Sequence, residues 1–196
     1  IGVLFGIIAA LRHGKVIDRV VMVAATLGIA VPSFVVATVS IIIFSVQLRL
    51  LPAYGFDSFS QYIMPGFALS FSSLSFMARL MRSSMLDVIH QDYIKTAKAK
   101  GVRRGFIIFK HALRNAIIPI VTYIGPLSAG ILTGSFVVEK IFNIPGLGRY
   151  FVESITQRDY PTILGVTIFY GAFLIAMNFL VDLSYGIIDP RIKIQE

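Results

Sequence analysis

DYIKTAKAKGVRRGFIIFKHALRNAIIPI, residues 92–120, interrupts an otherwise apolar chain. It carries seven Lys/Arg as far as Arg114 and a single acid, Asp92. Tyr93 to Lys100 is made of good helix formers, with Ala97 and Ala99 giving a narrow face. Gly101 stops that helix, as a residue tolerant of left-handed dihedrals does at a helix end. Phe106 to Phe109 resumes an apolar run, and His111 to Asn115 leads into the next apolar segment. The spacing predicts a short helix, a glycine corner and a second helix, a compact protrusion rather than a basic tail. Cytoplasmic loops are basic as a class, and anionic lipid attracts them at about 1 kcal/mol per Lys/Arg. Neither fact accounts for the order of the residues.

Outside this stretch the chain is greasy. Of its 196 residues 56% are hydrophobic and only 14% charged, with mean hydropathy +0.81, whereas a soluble domain is about a quarter charged. The composition therefore predicts an all-α polytopic membrane protein. No cysteine is present, which excludes disulfides and thiolate metal sites. Ile1 to Leu11 is apolar from its first position, too short to span, and lacks the basic start of a signal peptide. It reads as the end of a membrane helix whose beginning lies upstream.

Four complete spans follow: Val20–Val46 with Pro32 inside, Ser58–Ala78 with Pro65, Ala116–Val138 with Pro119 and Pro126, and Thr162–Val181. The first has 27 residues, roughly 40 Å of helix against a hydrocarbon core of about 30 Å. A kink at Pro32, a tilt or protrusion from the membrane is expected to absorb the excess. Fourteen of the 18 Lys/Arg precede the first span, lie in 79–114 or follow the fourth span. This bias places the chain start, the 79–114 segment and the C-terminus in the cytoplasm. Residues 47–57 then form a short external loop. Residues 139–161 form a longer one: an amphipathic piece, the Pro145-Gly-Leu-Gly148 turn, and a second amphipathic piece.

The +8 net charge is thus a topology signal, with no nucleic-acid partner implied. No Gly-x-x-x-x-Gly-Lys-Ser/Thr stretch occurs, so the chain holds no phosphate-binding loop for ATP hydrolysis. Gly146-Leu-Gly148 follows no strand and makes a poor dinucleotide fingerprint. His13, His90 and His111 are scattered near helix ends and predict no metal site, and no nucleophile–base grouping stands out. An enzyme is not expected.

The 92–114 segment resembles the cytoplasmic signature loop of bacterial ABC-importer permeases, whose general pattern is Glu-Ala-Ala, three residues, Gly, nine residues, Ile-x-Leu-Pro. Ala97, Gly101 and Leu113 match, while Lys95 stands in the acid's place and Arg114 in the final proline's. Asp92 to Gly101 with His111-Ala-Leu-Arg-Asn115 is similar to the oligopeptide/dipeptide/nickel branch. So are Arg82-Ser-Ser-Met-Leu-Asp87, Gly130-Ile-Leu-Thr-Gly134, Glu139-Lys-Ile-Phe142, Pro145-Gly-Leu-Gly148, Arg158-Asp-Tyr160 and Asp189-Pro-Arg191. Tyr123-Ile-Gly-Pro126 and the short 47–57 loop look most like the first permease subunit of an oligopeptide importer. The likeness covers essentially the whole chain.

The resemblance implies one transmembrane domain of a type I importer over 1–196. It implies four complete spans plus the end of a fifth here, six in a full chain, a coupling loop at about 88–114 and an external segment at about 139–161. It implies a multi-pass subunit of the bacterial cytoplasmic (inner) membrane that moves peptides, oligopeptides first, by alternating access. Dipeptide, nickel-complex or glycoside import is the alternative. The implied partners are a homologous second permease, two cytoplasmic ATPases, an extracytoplasmic substrate-binding protein and membrane lipid. ATP and Mg belong to the ATPases, and this chain binds no cofactor. Lys95, Thr96, Ala97, Lys98, Ala99, Gly101 and Leu113 are the expected ATPase-coupling residues.

Gly130, Gly134, Asn178 and Asp182 are expected at helix packing or gating positions, a small-residue pair and a polar pair inside spans. Ser70 and Ser73 are candidates for the pathway, with interhelical hydrogen bonding the plainer role. Pro145, Gly146 and Gly148 are candidates for an external gate or a binding-protein dock. A proton-coupled transporter would instead need an essential intramembrane acid and internal repeats, and the halves show none. A membrane-anchored scaffold would tolerate scrambling of residues 95–104 at constant charge.

Overall fold

A computed structural model describes residues 1–55, 57–132 and 136–188. Ten helices follow in chain order: α1 (Gly2–Leu11), α2 (Val16–Ala30), α3 (Ser33–Gln47), α4 (Phe59–Ile89), α5 (Asp92–Ala99), α6 (Arg104–Ala116), α7 (Ile118–Leu132), α8 (Phe136–Phe142), α9 (Leu147–Gln157) and α10 (Tyr160–Ile188). No strand occurs among the described residues.

Two unbroken helices are long and apolar enough to cross a membrane, Phe59–Ile89 and, within α10, Tyr160–Leu180. Two more candidates are pairs broken in the middle, Val16–Ala30 with Ser33–Gln47 and Arg104–Ala116 with Ile118–Ser128. The fold is therefore all-helical with two to four candidate spans. The sequence expects one long span with its excess taken up by a kink at Pro32, tilt or protrusion, but the helix ends at Ala30 and restarts at Ser33. Pro32 caps the restart in extended conformation, φ −61° and ψ 144°. Proline lacks the N–H a continuous helix needs and pushes the residue before it out of the helical region, so a full stop is the cheaper solution.

The expected Ala116–Val138 span also differs. It begins at Ile118 after a break, with Pro119 in the first turn where its missing N–H costs nothing. Within the expected span, helix is described to Leu132 and again from Phe136. By contrast α4 runs 11 residues beyond the expected Ala78, because Arg79 to Ile89 keeps helix-forming residues after the apolar stretch ends.

By contacts the chain divides into two units. The first takes in Ile1–Gly28, Leu74–Gly125 and the chain from Asn178, the second Ile29–Ser73 and Pro126–Met177. In the first unit α1 lies against α4 along a strip of small residues. A Cβ at Gly2 would collide with the Leu74 carbonyl, and one at Gly6 with the Ala78 carbonyl and the Met81 side chain. Ala9 and Ala10 continue the buried strip. The break before α7 leaves the Ala116 carbonyl without a helical donor, and the buried Ser84 hydroxyl donates to it at 2.8 Å.

The second unit has its own core: Val36 and Ala37 of α3, Met64 and Ala68 of α4, and Val138 and Phe142 of α8. Met64 and Phe142 are 1% exposed; in a lipid surrounding such contacts hold helices together by close packing rather than by transfer out of water. The second half of α3 widens to i→i+5 bonding, with the Leu48 N–H donating to the Ile43 carbonyl at 2.9 Å. The apolar residues of α10, among them Leu164, Ile168, Ile175 and Phe179, stay exposed over the length of its span.

Candidate functional site

The basic segment folds as helix, corner, helix. Gln91, in extended conformation, precedes α5. Asp92 sits in the first turn and Lys98 in the last, each favourable to the helix dipole. Lys95 pairs with Asp92 at 2.8 Å, an exposed i,i+3 bridge worth at most a few tenths of a kcal/mol.

The end of α5 is a complete Schellman motif. The Val102 N–H donates to the Ala97 carbonyl at 3.2 Å and the Gly101 N–H to the Lys98 carbonyl at 3.0 Å, with Gly101 at φ +73°. A Cβ at Gly101 would meet nothing within 4 Å. Its glycine is thus required by the backbone and not by packing within this chain, and the space above it is open.

α6 returns the chain to the membrane-spanning part. Its middle, Ile107–Ala112, is wound with the wider i→i+5 spacing. Ile94 of α5 is fully buried, and Ile107 and Ala112 of α6 are buried as well. Asn115 Nδ2 donates to the Tyr93 hydroxyl at 2.6 Å, tying the start of α5 to the end of α6. The protrusion is therefore braced at its base. Of the predicted coupling residues, Lys95, Thr96, Lys98, Ala99 and Gly101 are exposed and share the outer part. Ala97 is half-buried, and Leu113 is half-buried on α6, away from that outer group.

A cluster that the sequence reading missed ties the α1–α2 turn to α4. Asp18, near the start of α2, is 3% exposed. Arg82 of α4 grips it with two hydrogen bonds, Nε to Oδ1 at 2.5 Å and Nη2 to Oδ2 at 2.8 Å. The Gly14 N–H donates to Oδ2 at 2.9 Å, and His13 Nδ1 lies 3.2 Å from Oδ2 and 3.1 Å from Arg82 Nη2. A two-point guanidinium–carboxylate pair is among the stronger polar contacts. The available signal was a lone acid among Arg12, Lys15 and Arg19.

In the 139–161 segment the Pro145-Gly-Leu-Gly148 turn wraps the Glu139 carboxylate. Glu139 is buried and accepts from the Arg149 N–H at 2.9 Å, at the N-terminus of α9. A Cβ at Gly146 would collide with that carboxylate, and one at Gly148 would crowd it and the Phe136 N–H. Both glycines thus make room for an acid that caps a helix. Pro145 is exposed beside them. Arg149 pairs with Glu153 at 2.7 Å, which holds the guanidinium proton more firmly than usual.

The other candidates are dispersed. Ser70 and Ser73 are half-buried on α4, with the Ser70 hydroxyl donating to the Phe67 carbonyl at 3.2 Å. A Cβ at Gly130 would meet nothing within 4 Å, so its face is open within this chain. Gly134, like Asp189-Pro-Arg191, lies outside the described residues. Asn178 is half-buried on α10, and Asp182 follows one turn later, its side chain outside the described set. Among the described residues no three His, Asp or Glu side chains converge as metal ligands would.

Residues 2–194 match the family described as binding-protein-dependent transport system inner membrane component. The chain is 54% identical over 195 residues to the dipeptide transport system permease protein DppB of Bacillus subtilis (strain 168), covering 100% of this chain and 63% of that protein. It is 43% identical over 195 residues to the oligopeptide transport system permease protein OppB of Salmonella typhimurium, covering 98% and 64%. It is 44% identical over 192 residues to the glutathione transport system permease protein GsiC of Salmonella typhi, covering 98% and 63%. The chain thus spans somewhat less than two thirds of the length of these relatives.

Proposed function

Since the chain belongs to the family of binding-protein-dependent transport system inner membrane components, we propose that it serves as a permease subunit of an ATP-driven peptide importer. It would lie as a multi-pass type I importer domain in the cytoplasmic membrane. A homologous second permease would complete the pathway, two ATPases would bind at the cytoplasmic face, and an extracytoplasmic binding protein would deliver substrate. Relatives named for dipeptides, oligopeptides and glutathione support short peptides as the substrate class. The 54% identity to a dipeptide permease, against 43% to an oligopeptide permease, favours the shorter end of that range.

The observation that carries the mechanism is the braced protrusion from Asp92 to Ala116. A lever must pass force without bending, and the Schellman corner with the Tyr93–Asn115 bond makes α5 and α6 one stiff unit. Lys95, Thr96, Ala99 and Gly101 would contact an ATPase, with Ala97 and Lys98 at the edge of that contact and Leu113 seating α6. ATP binding would draw the ATPases together, move the protrusion and open the pathway outward. Gly146, Gly148 and Pro145 would then shape an external element through Glu139. Ser70, Ser73, Gly130, Gly134, Asn178 and Asp182 remain its proposed pathway and packing positions.

These 196 residues contain no cysteine, so a single one placed among them makes a direct test available once any elsewhere in the full-length protein is replaced. Ala99→Cys in the full-length protein, treated with a short bifunctional reagent in native membranes, should capture an ATPase subunit, with a yield that changes when ATP is added. Capture of lipid alone, or of nothing, overturns the coupling role.

A further inference from the structure

A cavity of about 430 Å³ lies beneath α5 and α6, at the ends of α1 and α4. That volume falls within the roughly 300–1,000 Å³ of small-molecule sites. Its apolar wall includes Leu11, Ile89 and Ile107, and its polar edge is Lys98 and Arg104. No carboxylate lines it, and neither cationic side chain makes an ion pair or hydrogen bond among the described residues. Two unpaired cations beside an apolar recess call for an amphiphile with an anionic head.

The position of the cavity along the helices narrows the source. α1 ends at Leu11 and is followed by Arg12, His13 and Lys15, and α4 ends at Ile89 and is followed by His90 and Asp92. On α1 the cavity sits where apolar helix gives way to charge, the level of lipid headgroups, while α4 turns charged earlier, from Arg79. Alongside it, α6 exposes Phe106 and Phe109, the latter 71% exposed, with Lys110 Nζ 4.8 Å from the Phe106 ring centre. Exposed aromatics beside basic residues are the signature of a helix lying in a membrane interface. Basic pockets between membrane helices on the cytoplasmic side recurrently hold anionic headgroups.

We propose that this cavity binds an anionic phospholipid of the cytoplasmic leaflet, its phosphate on Lys98 and Arg104 and an acyl chain along Leu11, Ile89 and Ile107. The inference rests on the cytoplasmic placement of the 79–114 segment and not on the transported substrate. A lipid seated there would stiffen the base of the protrusion by filling the space between α5, α6 and the spans.

The test uses the full-length transporter, assembled with its partner subunits in phosphatidylcholine nanodiscs. A minor fraction of phosphatidylglycerol carries a photoreactive group on its acyl chain. Irradiation should label peptides containing Leu11, Ile89 or Ile107. Unlabelled phosphatidylglycerol should displace the label, while added phosphatidylcholine and inorganic phosphate should not. Lys98→Gln with Arg104→Gln should lower labelling by about tenfold or more, since each cation near an anionic surface is worth about fivefold. Lys100→Gln with Arg103→Gln removes the same charge outside the cavity and should change labelling by less than about twofold. Arg104→Gln alone should lower labelling several-fold and serves if the double variant does not assemble. Displacement by phosphatidylcholine would mean an ordinary lipid annulus, and displacement by inorganic phosphate an anion site without a lipid. Labelling seen in the isolated permease but lost on ATPase assembly would mean a protein occupant. Each of these results overturns the proposal.

Discussion

Single residues show how differently glycines are used along this chain. Gly101 sits in the left-handed region with open space around it, so a side chain there is penalised by the backbone alone, about 1–2 kcal/mol. Gly146 is the opposite case: its backbone is extended, φ −99°, and the buried Glu139 carboxylate fills the space where a Cβ would go. That separation allows the lever role to be tested apart from the turn. Asn tolerates the left-handed region, so Gly101→Asn should keep the corner while adding a side chain to the open face, and Gly101→Leu adds bulk and strain together. Both variants should insert and assemble normally, yet move several-fold less peptide per ATP hydrolysed, measured as uptake and hydrolysis in the same proteoliposomes. Normal coupling in Gly101→Asn would leave Gly101 with the turn as its only role. The glycine stop itself could be read from sequence because it is local, a helix-forming run followed by the one residue type that caps it cheaply. The Glu139 role was not readable, because it depends on a turn folding back seven residues to meet a side chain.

At the scale of elements, the pattern of what was legible follows the range of the forces. The apolar runs and Pro32 announce a disturbed first span, since a missing N–H acts within four residues, but not that the helix stops outright. Pro119 carried an equally local signal for a helix start, and the run of apolar residues around it masked the break at Ile117. Which helices touch was less accessible. Gly2 and Gly6 have the small-x-x-x-small spacing that favours close packing in membranes, and α1 uses it against α4. The contact between the α1–α2 turn and α4 hangs on Asp18 and Arg82, 64 residues apart. Removing one partner of a buried pair is far costlier than removing both, because the survivor is left desolvated and unpaired, about 3–5 kcal/mol when burial is complete. Arg82 retains 22% side-chain exposure, so roughly 2–3 kcal/mol is the scale expected. Asp18→Asn and Arg82→Gln should each lower the thermal inactivation midpoint of the detergent-purified protein. The double variant should lose clearly less than the sum of the two, and additive losses would mean that the pair contributes little as a pair.

For the whole molecule, charge and span counting together decide whether the two broken helix pairs cross the membrane. The Lys/Arg bias assigns residues 12–19 and 79–114 to the same side. Between them lie only the Val16–Ala30/Ser33–Gln47 pair and α4. α4 is an unbroken apolar helix of 31 residues, roughly 46 Å at 1.5 Å per residue, more than enough to cross a core of about 30 Å. If the broken pair turned back as a re-entrant hairpin, α4 alone would carry the basic segment outside, against the charge bias. The charge rule thus predicts that the pair crosses, with its break at Pro32 inside the span. The same parity between 79–114 and Arg191/Lys193 predicts one more crossing besides α10, through the helix that starts at Ile118. A membrane-impermeant maleimide applied to intact cells should consequently label Gln47→Cys and Gln157→Cys, both exposed positions, and spare Lys100→Cys. Inverted vesicles should give the reverse. If Gln47→Cys reacts from the same side as Lys100→Cys, the first pair is re-entrant and the basic segment owes its side of the membrane to something other than the charge rule.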